Sequence, residues 1–148
     1  MKETPIEKIP EAWTAIADKR VKFTEGYSQE SGSAIVASSD GDKSYTVTWR
    51  DGGQIFTSTD PATYWQGYPG YPVIAVLMLL GRLNYNKDLA AKFAGVEWKR
   101  VNTKFRNDYS KALKYVEEEK GIDAEAVTSA STEVLNQLKS LAFTIKRK

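Results

Sequence analysis

The stretch Ser44-Tyr45-Thr46-Val47-Thr48-Trp49-Arg50 carries the most regular pattern in the chain. Tyr45, Val47 and Trp49 alternate with Thr and Ser, and this period of two predicts a β-strand with one buried face. The turn sequences Asp40-Gly41-Asp42 and Asp51-Gly52-Gly53 stand on either side of it. Because such turns join antiparallel neighbours, the stretch predicts the middle of an antiparallel sheet.

Shorter patterns on both sides extend this sheet. Val21 and Phe23 alternate with polar residues, and the Ser-rich residues 28–33 then interrupt the chain before Ile35-Val36. A last short strand is predicted from Gln54 to Ser58. We therefore expect a four-stranded antiparallel meander over residues 21–58, with one face buried.

The segment before the sheet has helical spacing. Ile6, Ile9, Trp13 and Ile16 recur at intervals of three and four residues, and Pro10 suits the first turn of a helix. This pattern predicts an N-terminal helix over residues 10–19.

The segment after the sheet is also helical, over residues 61–146. Asp60 followed by Pro61 is typical of a helix start. Two long apolar stripes follow helical spacing, one through Trp98, Val101, Phe105, Tyr109, Ala112 and Val116, the other through Val127, Ala130, Val134, Leu138, Leu141 and Ile145. Residues 1–148 are thus expected to form a single α+β domain, with an N-terminal helix, the meander, and four to five helices packed on one face of the sheet.

The composition excludes several kinds of catalytic site. The 148 residues contain no His and no Cys. A Ser-His-Asp triad, a His-ligated metal, a thiol nucleophile and an iron–sulfur cluster are therefore impossible. The Asp residues fall mostly at predicted turns and caps, and Glu117 to Glu119 are consecutive, so a helix spreads them apart. We expect no metal or cofactor, and a binding protein is favoured over an enzyme.

No targeting or membrane-spanning pattern stands out. The most apolar run, Val73 to Leu80, has eight residues, and a membrane span needs roughly 20. The residues after Met1 are charged rather than apolar, unlike a signal peptide. We therefore expect no membrane partner and a cytoplasmic location.

Positive charge is concentrated in one part of the chain, although the net charge is only +2. Between Arg82 and Lys114 there are nine basic residues against three acidic ones. Such local concentration favours an anionic partner.

Within this region, residues 87–106 resemble a helix-turn-helix unit. Ala91, Gly95 and Val101 stand where that motif has a small packing residue, a turn glycine and an apolar anchor. The resemblance implies contact with DNA or RNA through the second helix. The candidate nucleic-acid-binding residues are Lys99, Arg100, Asn102, Thr103, Lys104 and Arg106. The alternatives are an ordinary solvated helix face and a surface for an acidic protein.

A second candidate site is the aromatic and glycine-rich loop over residues 63–72. Its candidate ligand-binding residues are Tyr64, Trp65, Tyr68 and Tyr71. Rigid aromatic surfaces stack with bases, sugars or proline-rich peptides. The alternative is a structural corner whose rings fill the core between sheet and helices.

Taken together, the sequence favours a non-enzymatic binding protein that contacts nucleic acid through the basic segment. The alternatives left open are a small-molecule or peptide-binding module that uses the aromatic loop, and a structural subunit assembled with partners. The oligomeric state is not predictable from these patterns.

Overall fold

The α+β architecture is confirmed by a computed structural model that describes residues 1–148. The helices are α1 Lys8–Ala17, α2 Tyr71–Leu79, α3 Lys87–Lys92, α4 Trp98–Lys104, α5 Tyr109–Lys120 and α6 Ala124–Ser140. The strands are β1 Val21–Phe23, β2 Gly32–Ala37, β3 Ser44–Arg50, β4 Ile55–Ser58 and β5 Thr144–Ile145. A short π-helical turn, Ala62–Gln66, links the sheet to α2.

Strand β3 lies in the middle of the sheet, as its alternation predicts. The strands follow the order β1 to β5, and the first four are antiparallel neighbours. Val47 of β3 pairs with Ala34 and Ser58, and all three residues are buried. Trp49 stacks on Phe56 with ring centroids 6.0 Å apart. The buried face therefore carries the residues that alternate inward from three strands.

The fifth strand departs from the prediction of four strands followed by helix to residue 146. Helix α6 ends at Ser140, and β5 pairs parallel to β4 through Thr144 and Ile145. Thr144 donates its N–H to the carbonyl oxygen of Gln54 at 2.8 Å. The unpaired backbone groups at the β4 edge favour this pairing over another helical turn.

Helix α2 forms the centre of the core. Val73 through Leu77 are completely buried, because α2 packs between α1 and the strands β3 and β4. A helix enclosed in this way is apolar all round and shows no amphipathic stripe. No helix of the chain is both long and apolar enough to cross a bilayer.

The predicted continuous stripe over residues 98–116 is divided in the structure into α4 and α5. Arg106 and Asn107 adopt left-handed backbone conformations, with φ of 53° and 63°. The Asp108 carboxylate then accepts a hydrogen bond from the Lys111 N–H at 3.1 Å and begins α5. This local capping overrides the helical spacing and turns the chain beside α1.

The segment with the helix-turn-helix resemblance, residues 87–106, contains α3 and α4, and its role in binding stays a prediction. α3 and α4 are two short helices joined by a turn, and Gly95 has a φ of +80°, which suits glycine. Val101 is buried, as expected of an anchor. The expectation for Ala91 was wrong: Ala91 is exposed, and its neighbour Ala90 is the buried residue. Helix α1 begins at Lys8, two residues before the predicted start at Pro10, and ends at Ala17, two residues before Lys19.

Candidate ligand-binding cleft

A polar cleft opens where α1, the β2–β3 hairpin, the start of α2 and the α4–α5 turn meet. Two overlapping cavities, of about 280 and 340 Å³, make up this cleft and share one wall. The shared wall is formed by Lys8, Glu11, Tyr45, Pro61, Tyr71, Asn107 and Tyr109. The size and concave shape of the two cavities suit a small molecule.

The floor of the cleft contains a buried ion pair. The Lys8 ammonium lies 3.3 Å from the Glu11 carboxylate, and their side chains are only 9% and 6% exposed. Burial raises the pKa of Glu11, against the opposing effect of Lys8. Burial lowers the pKa of Lys8, but Glu11 and the tyrosines Tyr109 and Tyr68 more than offset it, so the pKa is raised.

The docking of α4 on α1 explains why Asn102 reaches this pair. The Trp98 indole donates a hydrogen bond to the hydroxyl of Thr14 at 2.9 Å. One turn later on α4, the Asn102 amide nitrogen donates to Glu11 at 3.4 Å. Residues spaced by three or four share a helix face, so Trp98 and Asn102 meet Thr14 and Glu11.

Asn102 is 8% exposed, and its amide oxygen has no hydrogen-bond partner in the chain. A buried acceptor without a partner costs about 1–3 kcal/mol. Because Asn102 also lines the cleft, this uncompensated polar group lies in the cleft wall rather than in the apolar core.

Arg20 forms another part of the cleft wall, between α1 and β1. Its Nη1 donates to the carbonyl oxygen of Ala37 at 2.6 Å, while its Nε has no hydrogen-bond partner. The Asp18 carboxylate lies 3.9 Å from Nε, at the outer limit of an ion pair. The guanidinium also sits 5.9 Å from the ring centre of Tyr71. Arg20 therefore brings a positive charge, only partly countered by Asp18, to this wall of the cleft.

Four tyrosines line the cleft, namely Tyr45, Tyr68, Tyr71 and Tyr109. The ammonium of Lys8 lies 4.0 Å from the ring centre of Tyr109, which is cation–π distance. Tyr45 and Tyr71 meet edge to face, with centroids 6.5 Å apart. Burial raises the pKa of Tyr45, Tyr68 and Tyr71, so these hydroxyls keep their protons and stay hydrogen-bond donors.

The rim of the cleft holds a second ion pair, exposed to water. The Lys99 ammonium lies 3.2 Å from Asp40 and 3.8 Å from Asp42. Hydrogen bonds from the Asp42 backbone and the Ser38 hydroxyl, with a further one from Lys99, lower the pKa of Asp40 to about 2. This network attaches the start of α4 to the β2–β3 hairpin.

The six residues predicted to bind nucleic acid separate into two groups. Lys99, Asn102 and Thr103 line the cleft. Arg100, Lys104 and Arg106 are exposed and lie outside the cleft lining. The Arg100 side chain is 80% exposed and lies 3.7 Å from Glu97. The Lys104 ammonium lies 4.2 Å from the ring centre of Tyr115.

The four predicted ligand-binding residues of the aromatic loop also fall into two groups. Tyr68 and Tyr71 line the cleft. Tyr64 and Trp65 instead lie beside the C-terminal Arg147, whose guanidinium is 5.4 and 5.5 Å from their ring centres. Trp65 is 68% exposed. Half of each predicted site therefore belongs to one shared cleft.

Sequence reasoning missed Lys8, Glu11, Arg20, Tyr45 and Tyr109 as cleft residues. Lys8 and Glu11 are i,i+3 neighbours beside an apolar stripe, a pattern that is also typical of a solvated helix face. Tyr45 and Tyr109 were assigned to buried stripes. The cleft holds no group of three or more carboxylates that could ligate a metal ion.

Nearly the whole chain matches the model of a protein family. The family described as "Uncharacterised conserved protein UCP014422" matches residues 1–144. The chain belongs to this family. The matched range contains every cleft residue from Lys8 to Tyr109. No curated protein and no solved structure matches the chain.

Proposed function

We propose that this chain is a small-molecule-binding protein and that the cleft is its binding site. The observation that carries the proposal is the buried Lys8–Glu11 pair, with the unpartnered Asn102 oxygen beside it, at the floor of an open cavity. Both charges have lost most of their water, yet they line a space that a ligand can enter.

A buried ion pair beside an unpartnered amide oxygen contributes little to the stability of a fold. Replacing a buried ion pair with apolar residues is often neutral or stabilising by about 1–4 kcal/mol, and an unpartnered amide oxygen adds a further cost. Desolvated, polarised groups in a cleft are typical of functional sites. The arrangement is therefore explained better by a bound molecule than by stability.

The cleft also unites parts of the two sites that the sequence suggests. Tyr68 and Tyr71 come from the aromatic loop, while Lys99, Asn102 and Thr103 come from the basic segment. The proposal follows the small-molecule alternative, with α4 acting as a wall of the cleft.

A ligand screen by thermal shift tests this proposal, with a matched pair of tyrosine variants. Tyr45→Phe removes a hydroxyl from the cleft wall, and Tyr27→Phe removes one from an exposed tyrosine outside the cleft. We expect compounds that raise Tm in the wild-type protein to lose part of this effect in Tyr45→Phe alone. If no compound raises Tm, or both variants respond as the wild type does, the cleft is not the binding site.

A second candidate function is nucleic-acid contact through the outer side of the basic segment. The exposure of Arg100, Lys104 and Arg106 favours it, since solvated basic side chains suit phosphate contacts. We expect weak, salt-sensitive binding to duplex or single-stranded probes that Arg100→Gln with Arg106→Gln reduces. Undetectable binding to DNA and RNA at low salt would remove this candidate.

A further inference from the structure

The cleft has two chemically different lobes on either side of its shared wall. The first, which we call the basic lobe, is lined by Arg20, Lys43, Lys99, Asn102 and Thr103 in addition to that wall. The second, which we call the tyrosine lobe, adds Asp60, Ala62, Gln66 and Tyr68. A molecule that fills the cleft therefore meets cations at one end, and phenols along the shared wall and at the other end.

The basic lobe has an excess of hydrogen-bond donors. The Arg20 guanidinium lines this lobe with its charge only partly countered by Asp18, 3.9 Å from Nε, and Lys43 is an exposed ammonium at the same opening. Lys99 is shared with Asp40 and Asp42, whose carboxylates lie outside the lining. Donors of this kind are satisfied by an oxyanion, either a carboxylate or a phosphate.

The floor and the tyrosine lobe favour a different part of the ligand. Phenolic hydroxyls both donate and accept hydrogen bonds, so they suit a hydroxyl group on the ligand. Tyr45, Tyr68, Tyr71 and Tyr109 present flat rings and phenolic hydroxyls around the same space. Faces of this type pack against a ring that is aromatic or sugar-like.

We propose that the ligand of the cleft is a small molecule that joins an oxyanion to a hydroxylated ring. The oxyanion lies in the basic lobe, against Arg20, Lys43 and Lys99, and the ring lies among the tyrosines. This inference rests on the proposed function, because it names the class of ligand for the same cleft.

A comparison of three related probes tests the inference. 4-Hydroxybenzoate has both parts, 4-hydroxybenzamide replaces the carboxylate with a neutral group of similar shape, and benzoate lacks the hydroxyl. We expect 4-hydroxybenzoate to bind about tenfold more tightly than either of the others, since each lacks one set of contacts. Phenyl phosphate distinguishes the two oxyanions: tighter binding of this probe than of benzoate indicates a phosphate, and weaker binding a carboxylate.

Lysine variants connect the probes to the basic lobe. Lys43→Gln combined with Lys99→Gln should lower affinity for 4-hydroxybenzoate to that for 4-hydroxybenzamide, and should leave the amide unaffected. Lys92→Gln, an exposed lysine of α3 outside the cleft, is the matched control and should change neither affinity.

The outcomes separate this inference from the proposed function. If 4-hydroxybenzamide binds as tightly as 4-hydroxybenzoate, or if neither binds, the oxyanion inference is overturned. The proposed function still stands in that case if the thermal-shift screen finds uncharged or cationic compounds whose effect Tyr45→Phe weakens. If the screen finds no compound at all, both are overturned together.

Discussion

The cleft has one lysine–carboxylate pair at its floor and another at its rim, and the two pairs differ in solvent access far more than in geometry. The Lys8–Glu11 distance is 3.3 Å and the Lys99–Asp40 distance is 3.2 Å. At the floor, the side chains of the pair are 9% and 6% exposed, whereas at the rim they are 45% and 34% exposed. The distance between the charges therefore does not determine how much each pair contributes to stability.

The exposure of each ion pair to water determines how much the pair contributes to stability. An exposed pair gains little because solvent and salt screen it, whereas a buried pair depends strongly on both partners. The rim pair can be lost with little consequence for the fold. The floor pair cannot lose one partner without leaving an unpaired charge inside the protein.

The largest expected effect is on stability at the floor. Lys8→Met leaves the Glu11 carboxylate buried without its partner and should lower the free energy of unfolding by about 3–5 kcal/mol. Urea unfolding at neutral pH measures this change. A loss below about 1 kcal/mol, the scale of an exposed pair, would contradict the distinction between floor and rim.

Replacement of both residues of the floor pair tests the same comparison a second time. Lys8→Met with Glu11→Leu should recover at least about 1 kcal/mol of the loss in Lys8→Met, because no buried charge remains. The same double variant should not bind the compounds found by the thermal-shift screen. Retained binding in a stable double variant would show that the pair is not part of the site.

The pH dependence of stability should have opposite signs for the floor pair and the rim pair. Glu11 has a raised pKa in the folded protein, so its stabilising contribution is complete below 4.5 and is lost as pH rises through the folded value. Asp40 has a pKa lowered to about 2, so its contribution is present above 3.8 and is lost as pH falls towards 2.

These signs can be measured as the difference in the free energy of unfolding between the wild type and each variant as a function of pH. The stability of the wild type relative to Glu11→Gln should decrease as pH rises above 4.5, and its stability relative to Asp40→Asn should decrease as pH falls below 3.8. Parallel curves for the two variants would mean that burial does not separate the two carboxylates.

The smallest effect on stability is expected at the rim. Lys99→Gln should leave the urea midpoint close to that of the wild type, because water and the remaining hairpin hydrogen bonds compensate for the lost pair. Its effect should be on ligand affinity instead. Arg100→Gln, the next residue but outside the cleft, is the control and should alter neither quantity.

Much of the fold is predictable because local patterns agree with tertiary packing. The alternation of Tyr45, Val47 and Trp49 correctly placed the central strand, and the Asp60 carboxylate accepts a hydrogen bond from the Thr63 N–H at 3.0 Å, as expected of a helix start. The division between α4 and α5 was missed, because left-handed conformations at Arg106 and Asn107 leave no trace in apolar spacing.

The site was only half predictable for a related reason. Tyr71, Lys99 and Asn102 stood out by local composition, and they do line the cleft. Lys8 and Glu11 did not, since charged residues beside an apolar stripe are normally solvated. They are buried because α4 packs across their face of α1, and that contact joins residues 91 positions apart.

Amide chemical-shift mapping tests most directly the claim that the cleft binds a small molecule. Nitrogen-15 spectra would be recorded during titration with 4-hydroxybenzoate and with the strongest compound from the thermal-shift screen. The account predicts that the largest shifts gather at Lys8 and Glu11 of α1, Tyr71 of α2 and Asn102 of α4, which line the cleft. Shifts confined to Tyr64 and Trp65, or to Arg100 and Arg106, would contradict it.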